Sequence, residues 1–171
     1  KEAGDPKLSI APYFLRSWPL LNLGRLQEAV ATTDRAMQSY VPERDNVTAY
    51  VYGFELGILN MVFGAWLRWF LGYPDTARNQ FEQALAMARE LGHPHTLAFT
   101  LVGACELYWF LGEPESVHRH TEELAPLAQE RGFVYWKAHA LFYQGERMVL
   151  QGQVHEGIGQ LKEAIAGMRA T

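Results

Sequence analysis

Histidine, cysteine and carboxylate side chains hold metals and carry out nucleophilic or acid–base chemistry, and in this chain they are thinly spread. His93 and His95 flank Pro94 at a helix boundary. A pair at that spacing can reach one ion, but no third ligand is assigned by the sequence, and solvated turn histidines are the expected reading. His118 and His120 stand two apart on a predicted helix, where side chains point in different directions and cannot chelate one ion together. Cys105 is the only cysteine. It falls at a small packing position, so a buried, inert thiol is expected rather than a nucleophile. A lone cysteine forms no intrachain disulfide, which reads as a reducing compartment. Glu122 and Glu123 fit a solvated helix face. The patterns of phosphate-binding loops, zinc-binding HExxH helices, CxxC pairs and nucleophile elbows are all missing from the sequence. The chain is therefore expected to be no enzyme, with no metal and no cofactor.

The elements that position these residues are announced by a repeat. Leu71-Gly72-Tyr73-Pro74-Asp75 returns as Leu111-Gly112-Glu113-Pro114-Glu115, and more weakly as Gln151-Gly152-Gln153-Val154-His155. These glycines are forty residues apart, and a second series, Gly92 and Gly132, falls halfway between them. Gly24 begins the first series but precedes Gly72 by forty-eight residues, so eight residues have been added in between. A fixed period in this range marks a solenoid, each half-period being one helix and its turn. Glycine tolerates the left-handed conformation that ends a helix. Proline two residues later suits the first turn of the next, and Asp75 or Glu115 beside it complements the positive end of the helix dipole. Eight helices are predicted, over about 7–22, 26–40, 47–71, 74–91, 95–111, 114–131, 134–151 and 154–169. The extra residues are expected to lengthen the third helix by about two turns. Pro19 and Pro126 should each kink or shorten the helix that contains them.

Bulk properties agree with a folded helical scaffold. The 171 residues are 49% apolar and 13% aromatic, which excludes disorder. The net charge is −4 with scattered Lys and Arg, which argues against a nucleic-acid footprint. One stretch, 47–67, is apolar enough to suggest a membrane span, but Glu55 and Asn60 interrupt it and Arg68 follows it. A long buried helix is the better reading.

Particular positions carry a resemblance to the tetratricopeptide repeats. That family places small and large residues after the turn glycine as G-x-x-x-x-A-x-x-x-F-x-x-A, and Gly72, Ala77, Phe81 and Ala84 match it. Gly24, Ala29, Thr33 and Ala36 match with a smaller third residue. Gly152, Gly157, Leu161 and Ala164 match with substitutions, and Gly112, Val117, Thr121 and Leu124 fit least well. Seven residues before the turn glycine the family needs a small side chain, and Ser17, Ala65, Cys105 and Gly145 stand there. The period exceeds the standard 34 residues by six. With Gly-Tyr-Pro-Asp at 72–75, Ala-Arg-Glu-Leu-Gly-His-Pro at 88–94 and Gln-Glu-Arg-Gly-Phe at 129–133, the chain resembles a group of bacterial signalling proteins. These are the helical regions C-terminal to the predicted ATPase of class III adenylate/guanylate cyclase-like proteins, and relatives of the large MalT-type regulators.

The resemblance implies an all-α fold: a right-handed superhelix of four tetratricopeptide-like helix-turn-helix repeats, about eight antiparallel helices. The repeats would occupy about 7–46, 47–92, 93–132 and 133–171, in one domain over 1–171. It also implies a cytoplasmic regulatory scaffold within a multidomain protein, and it transfers no catalytic residue. The chain begins without Met and ends one residue before the next glycine of the half-period, as a fragment of a longer array would. Ile158, Leu161, Ile165 and Met168 give the last helix an apolar face that meets either a further neighbour or the preceding helix.

In such arrays the first helix of each repeat lines a concave groove. The register places Phe14, Trp18 and Asn22 there from the first repeat, and Val62, Trp66, Trp69 and Phe70 from the second. Phe99, Glu106, Trp109 and Phe110 come from the third, and His139, Phe142 and Glu146 from the fourth. These rings either pack on one another as core or receive an apolar helix or small molecule, with Glu106 and Glu146 as polar anchors. Two functions follow. One is a protein-interaction module that binds a protein, a peptide or neighbouring domains of its own chain. The other is a sensor for a small apolar or amphipathic ligand, favoured if Trp66, Trp69, Trp109 and Phe142 enclose a pocket. Homodimer formation is compatible with either; nucleic acid and membrane are not expected as partners.

Overall fold

Each glycine of the two forty-residue series, and Gly24, sits at a helix end with positive φ, for example 86° at Gly72 and 72° at Gly112. The closing hydrogen bonds repeat as well. The N–H of Gly72 donates to Trp69 O and that of Tyr73 to Arg68 O, and the same pair closes the turns at Gly24, Gly112, Gly132 and Gly152. These bonds satisfy carbonyls that a helix end leaves without donors. The computed structural model describes residues 10–171, and among them the regular structure is all helical. The helices are α1 (Ala11–Asn22), α2 (Leu26–Ser39), α3 (Pro42–Asp45), α4 (Thr48–Tyr52), α5 (Leu56–Phe70), α6 (Pro74–Leu91), α7 (Pro94–Phe110), α8 (Pro114–Glu130), α9 (Val134–Leu150) and α10 (Val154–Arg169). The expected start of the first helix at 7 lies outside the described residues. Pro19 and Pro126 lie inside α1 and α8, and neither ends its helix there.

The expected single helix over 47–71 is replaced by something else. The added residues form α3, α4 and a sharp break at Gly53, which has φ 77°. Glu55 then caps α5: its carboxylate accepts from the N–H of Gly57 at 3.1 Å and of Ile58 at 2.6 Å. The segments Pro42–Tyr52 and Leu56–Phe70 meet at 92°, and among the described residues no single helix is long and apolar enough to cross a membrane.

The contacts divide the chain between Thr100 and Leu101, within α7, into two compact units. In the first, α5 is the central element. Eleven of its fifteen residues are buried, including Asn60, and a helix apolar all round must be covered on every side. The covering comes from α1, α2, α3 and α6. Gly57 is there because of Tyr40: a Cβ at 57 would lie 2.2 Å from the Tyr40 ring. Arg68 links α5 to α2 through Asp34 at 2.6 Å.

In the second unit α9 packs on both α8 and α10. Contacts of Gly145 with Gly157, and of Ala138 with Gly167, show α9 and α10 running antiparallel. Cys105 of α7 lies against α8, its Sγ 3.7 Å from Val117 O and 3.5 Å from Thr121 Oγ1. One polar contact keeps the period. Gln80 Nε2 donates to Met61 O at 2.9 Å in the first unit, and Gln160 Nε2 donates to Leu141 O at 3.3 Å in the second.

Candidate functional site

In the first unit the expected groove residues gather around a ring that the groove register does not include. Phe63 is buried, and Phe14, Trp18 and Trp66 each meet it edge to face at 5.2 Å, with Phe99 at 6.3 Å. Edge-to-face pairs of this kind stabilise a core beyond the area they bury. Val62 is fully buried and offers no surface. Trp66 also reaches Phe81 of α6 at 6.4 Å, Trp69 packs on Phe70 at 5.2 Å, and Asn22 Nδ2 donates to Trp18 O at 2.9 Å. Beside Phe63 lies an apolar cleft of about 280 Å³ walled by Phe14, Leu15, Tyr52, Phe54 and Phe99. What stays on the surface is large: Trp18 is 50% exposed and Phe70 46%.

In the second unit a carboxylate joins the rings. Trp109, 50% exposed, donates its Nε1–H to Glu146 Oε1, and Phe110 beside it is 44% exposed. Both Trp109 and Glu146 line a pocket of about 500 Å³ between α8, α9 and the turn at Gly112. Tyr143 and Val117 form its apolar floor, and Arg147 and Gln144 add polar groups. Burial raises the pKa of Glu146, which the Trp109 N–H partly opposes. Burial pushes Glu106, a half-buried carboxylate at the same position of the period, up to about 7. Burial also raises Tyr143, and the charge of Glu106 raises it further. Glu146, raised by burial, lines the pocket, and perturbed carboxyl groups cluster at functional sites. Phe142 packs against Tyr143 at 5.5 Å. His139 turns to its own helix: its Nδ1–H donates to Tyr135 O at 3.1 Å, and burial lowers its pKa.

The remaining candidates are held apart. His93 Nδ1 lies 2.9 Å from Thr96 Oγ1, whereas His95 Nδ1 donates to Gly53 O at 3.0 Å and its ring packs at a tilt on Phe54. Both rings use Nδ1 in these contacts. His118 pairs with Glu122 at 3.0 Å, while His120 is buried and stacks on Tyr108. No group of three or more His, Cys, Asp or Glu comes together among the described residues. Cys105 is buried, and burial pushes its thiol up to about 12.

No family model and no curated protein matches this sequence. The functional reading therefore rests on the geometry.

Phe63 and Tyr143, central to the two sites, escape the groove register, which names Val62 and Phe142 immediately before them. A signal exists nonetheless. They stand eighty residues apart, each directly after a groove position, and so share one place in the repeat. The pocket walls at 112–115, Val117 and Thr121 stand at repeat positions too, but the groove register draws only on first helices and so leaves them out.

Proposed function

We propose that the chain is a non-catalytic binding module: a right-handed superhelix of four tetratricopeptide-like repeats that acts as a cytoplasmic regulatory scaffold in a bacterial cyclase- or ATPase-associated signalling protein. The observation that carries this reading is where the apolar surface is left. Trp18, Phe70, Trp109 and Phe110 each keep close to half of their surface exposed, near the C-terminal ends of α1, α5 and α7. The helix-crossing positions Ser17, Ala65 and Cys105 are buried, as is Gly145. Trp and its neighbours dominate binding hot spots, and partly exposed rings on rigid helices bind with little ordering cost. The partner in this reading is a peptide, a protein or a neighbouring domain of the same chain. Selection of a random peptide library on the wild-type protein, with Trp109→Ala/Phe110→Ala as the counter-selecting surface, tests it. Enrichment of peptides that require those rings supports the scaffold, and a library that never enriches above background contradicts it.

The second-unit pocket favours one further reading, a sensor of a small amphipathic ligand. Its volume falls within the range of small-molecule sites, and it joins apolar walls to a few convergent polar groups.

A further inference from the structure

We infer that the pocket of the second unit takes an organic cation, an ammonium group carried on a small apolar or aromatic body. The inference rests on the small-ligand reading above and names the chemistry of that ligand.

Three observations converge. The first is the balance of charge: Glu113, Glu115 and Glu146 line the pocket against a single guanidinium, that of Arg147. His118, which also lines it, is occupied by Glu122 at 3.0 Å. The second is the state of Glu146. Its Oε1 accepts the Trp109 indole N–H, and among the described residues no cationic side chain forms a salt bridge with it. A half-buried carboxylate held only by a neutral donor is under-compensated, so it gains from a cation at its second oxygen. The third is the wall. The half-exposed indole of Trp109 and the ring of Tyr143 line the same pocket, and aromatic rings attract ammonium groups electrostatically, Trp best of all. Carboxylate and indole are held in register by their own hydrogen bond. The site is thus organised before the ligand arrives.

Three probes of one shape separate the possibilities: phenethylammonium, neutral 2-phenylethanol and anionic 3-phenylpropionate. Each is titrated by calorimetry into the whole chain, while the Trp109 indole N–H resonance is followed by NMR. The expected result is saturable binding of the ammonium, with the alcohol and the acid at least about tenfold weaker. Glu146→Gln, shown to be folded by circular dichroism, should lose the preference for the ammonium. Equal binding of the ammonium and the alcohol in the wild type, both shifting the Trp109 resonance, would overturn the cation site and leave the small-ligand reading standing. A Trp109 resonance unmoved by all three probes at millimolar concentration would overturn both. The wild-type comparison needs no variant, so a Glu146→Gln protein that fails to fold still leaves the inference testable.

Discussion

Gly145 of α9 and Gly157 of α10 cross backbone to backbone: a Cβ added at 157 would stand 2.7 Å from the carbonyl oxygen of Gly145. No side-chain movement relieves a contact with a main-chain atom. Gly157→Ala should therefore destabilise the second unit by about 2 kcal/mol, the usual cost of overpacking. Gly159, two residues on in the same helix, has nothing within 4 Å of its added Cβ. There alanine should stabilise by about 0.5–1 kcal/mol through helix propensity alone. Urea unfolding of both variants checks the pair, and equal effects would refute the crossing.

Glu55 is fully buried and holds the first turn of α5. Glu55→Ala leaves the N–H groups of Gly57 and Ile58 without their acceptor, at a cost of about 1–3 kcal/mol. Thr96→Val acts on the same corner, because Thr96 Oγ1 accepts from the Glu55 N–H at 3.0 Å. A double-mutant cycle on unfolding free energies should show the two substitutions coupled. Strict additivity would mean that the corner does not act as a unit.

That corner also shows how far the sequence was legible. The turn glycines, the small crossing positions and the ends of α6 and α10 follow from forty-residue spacing, because glycine and proline act through local backbone geometry. The break at Gly53 does not. Within an apolar stretch Glu55 reads as an interruption of one long helix, whereas Gly53 stops one helix and Glu55 caps the next. The exposure of the groove rings was equally hidden. Trp66 and Trp109 are the same residue type on equivalent helices, yet one is wedged between Phe63 and Phe81 and the other is half open. Tertiary neighbours decide that difference.

Glu106 titrates where its burial places it. Its pKa stands at about 7 in the fold against an ordinary value of 4.5, so the folded state binds more protons than the unfolded one between those limits. Stability must then fall as pH rises from 4.5 to 7, by an amount on the order of 2 kcal/mol from this group. Glu106→Gln should remove that part of the slope, read as the difference between variant and wild type in unfolding free energy at pH 5 and pH 8. A slope unchanged by the substitution would show that Glu106 is well solvated.

Cys105 should be silent in the native protein. Buried, with its pKa pushed up to about 12, it forms almost no thiolate at neutral pH. A thiol reagent such as DTNB should react with it only at the rate of unfolding. A fast reaction in buffer would contradict its position between α7 and α8.

In the proposed scaffold the half-exposed rings bind and the wedged ones build. Affinity and stability measured together on one set of variants test it most directly. The set is wild type, Trp109→Ala/Phe110→Ala and Trp66→Ala, assayed with one library-selected peptide by calorimetry and with urea. Trp109→Ala/Phe110→Ala should weaken peptide binding about tenfold or more while losing little stability. Trp66→Ala is predicted to lose about 3 kcal/mol of stability, as core aromatic truncations do. If the double variant unfolds, or if it binds the peptide as the wild type does, those rings are framework and the recognition surface lies elsewhere.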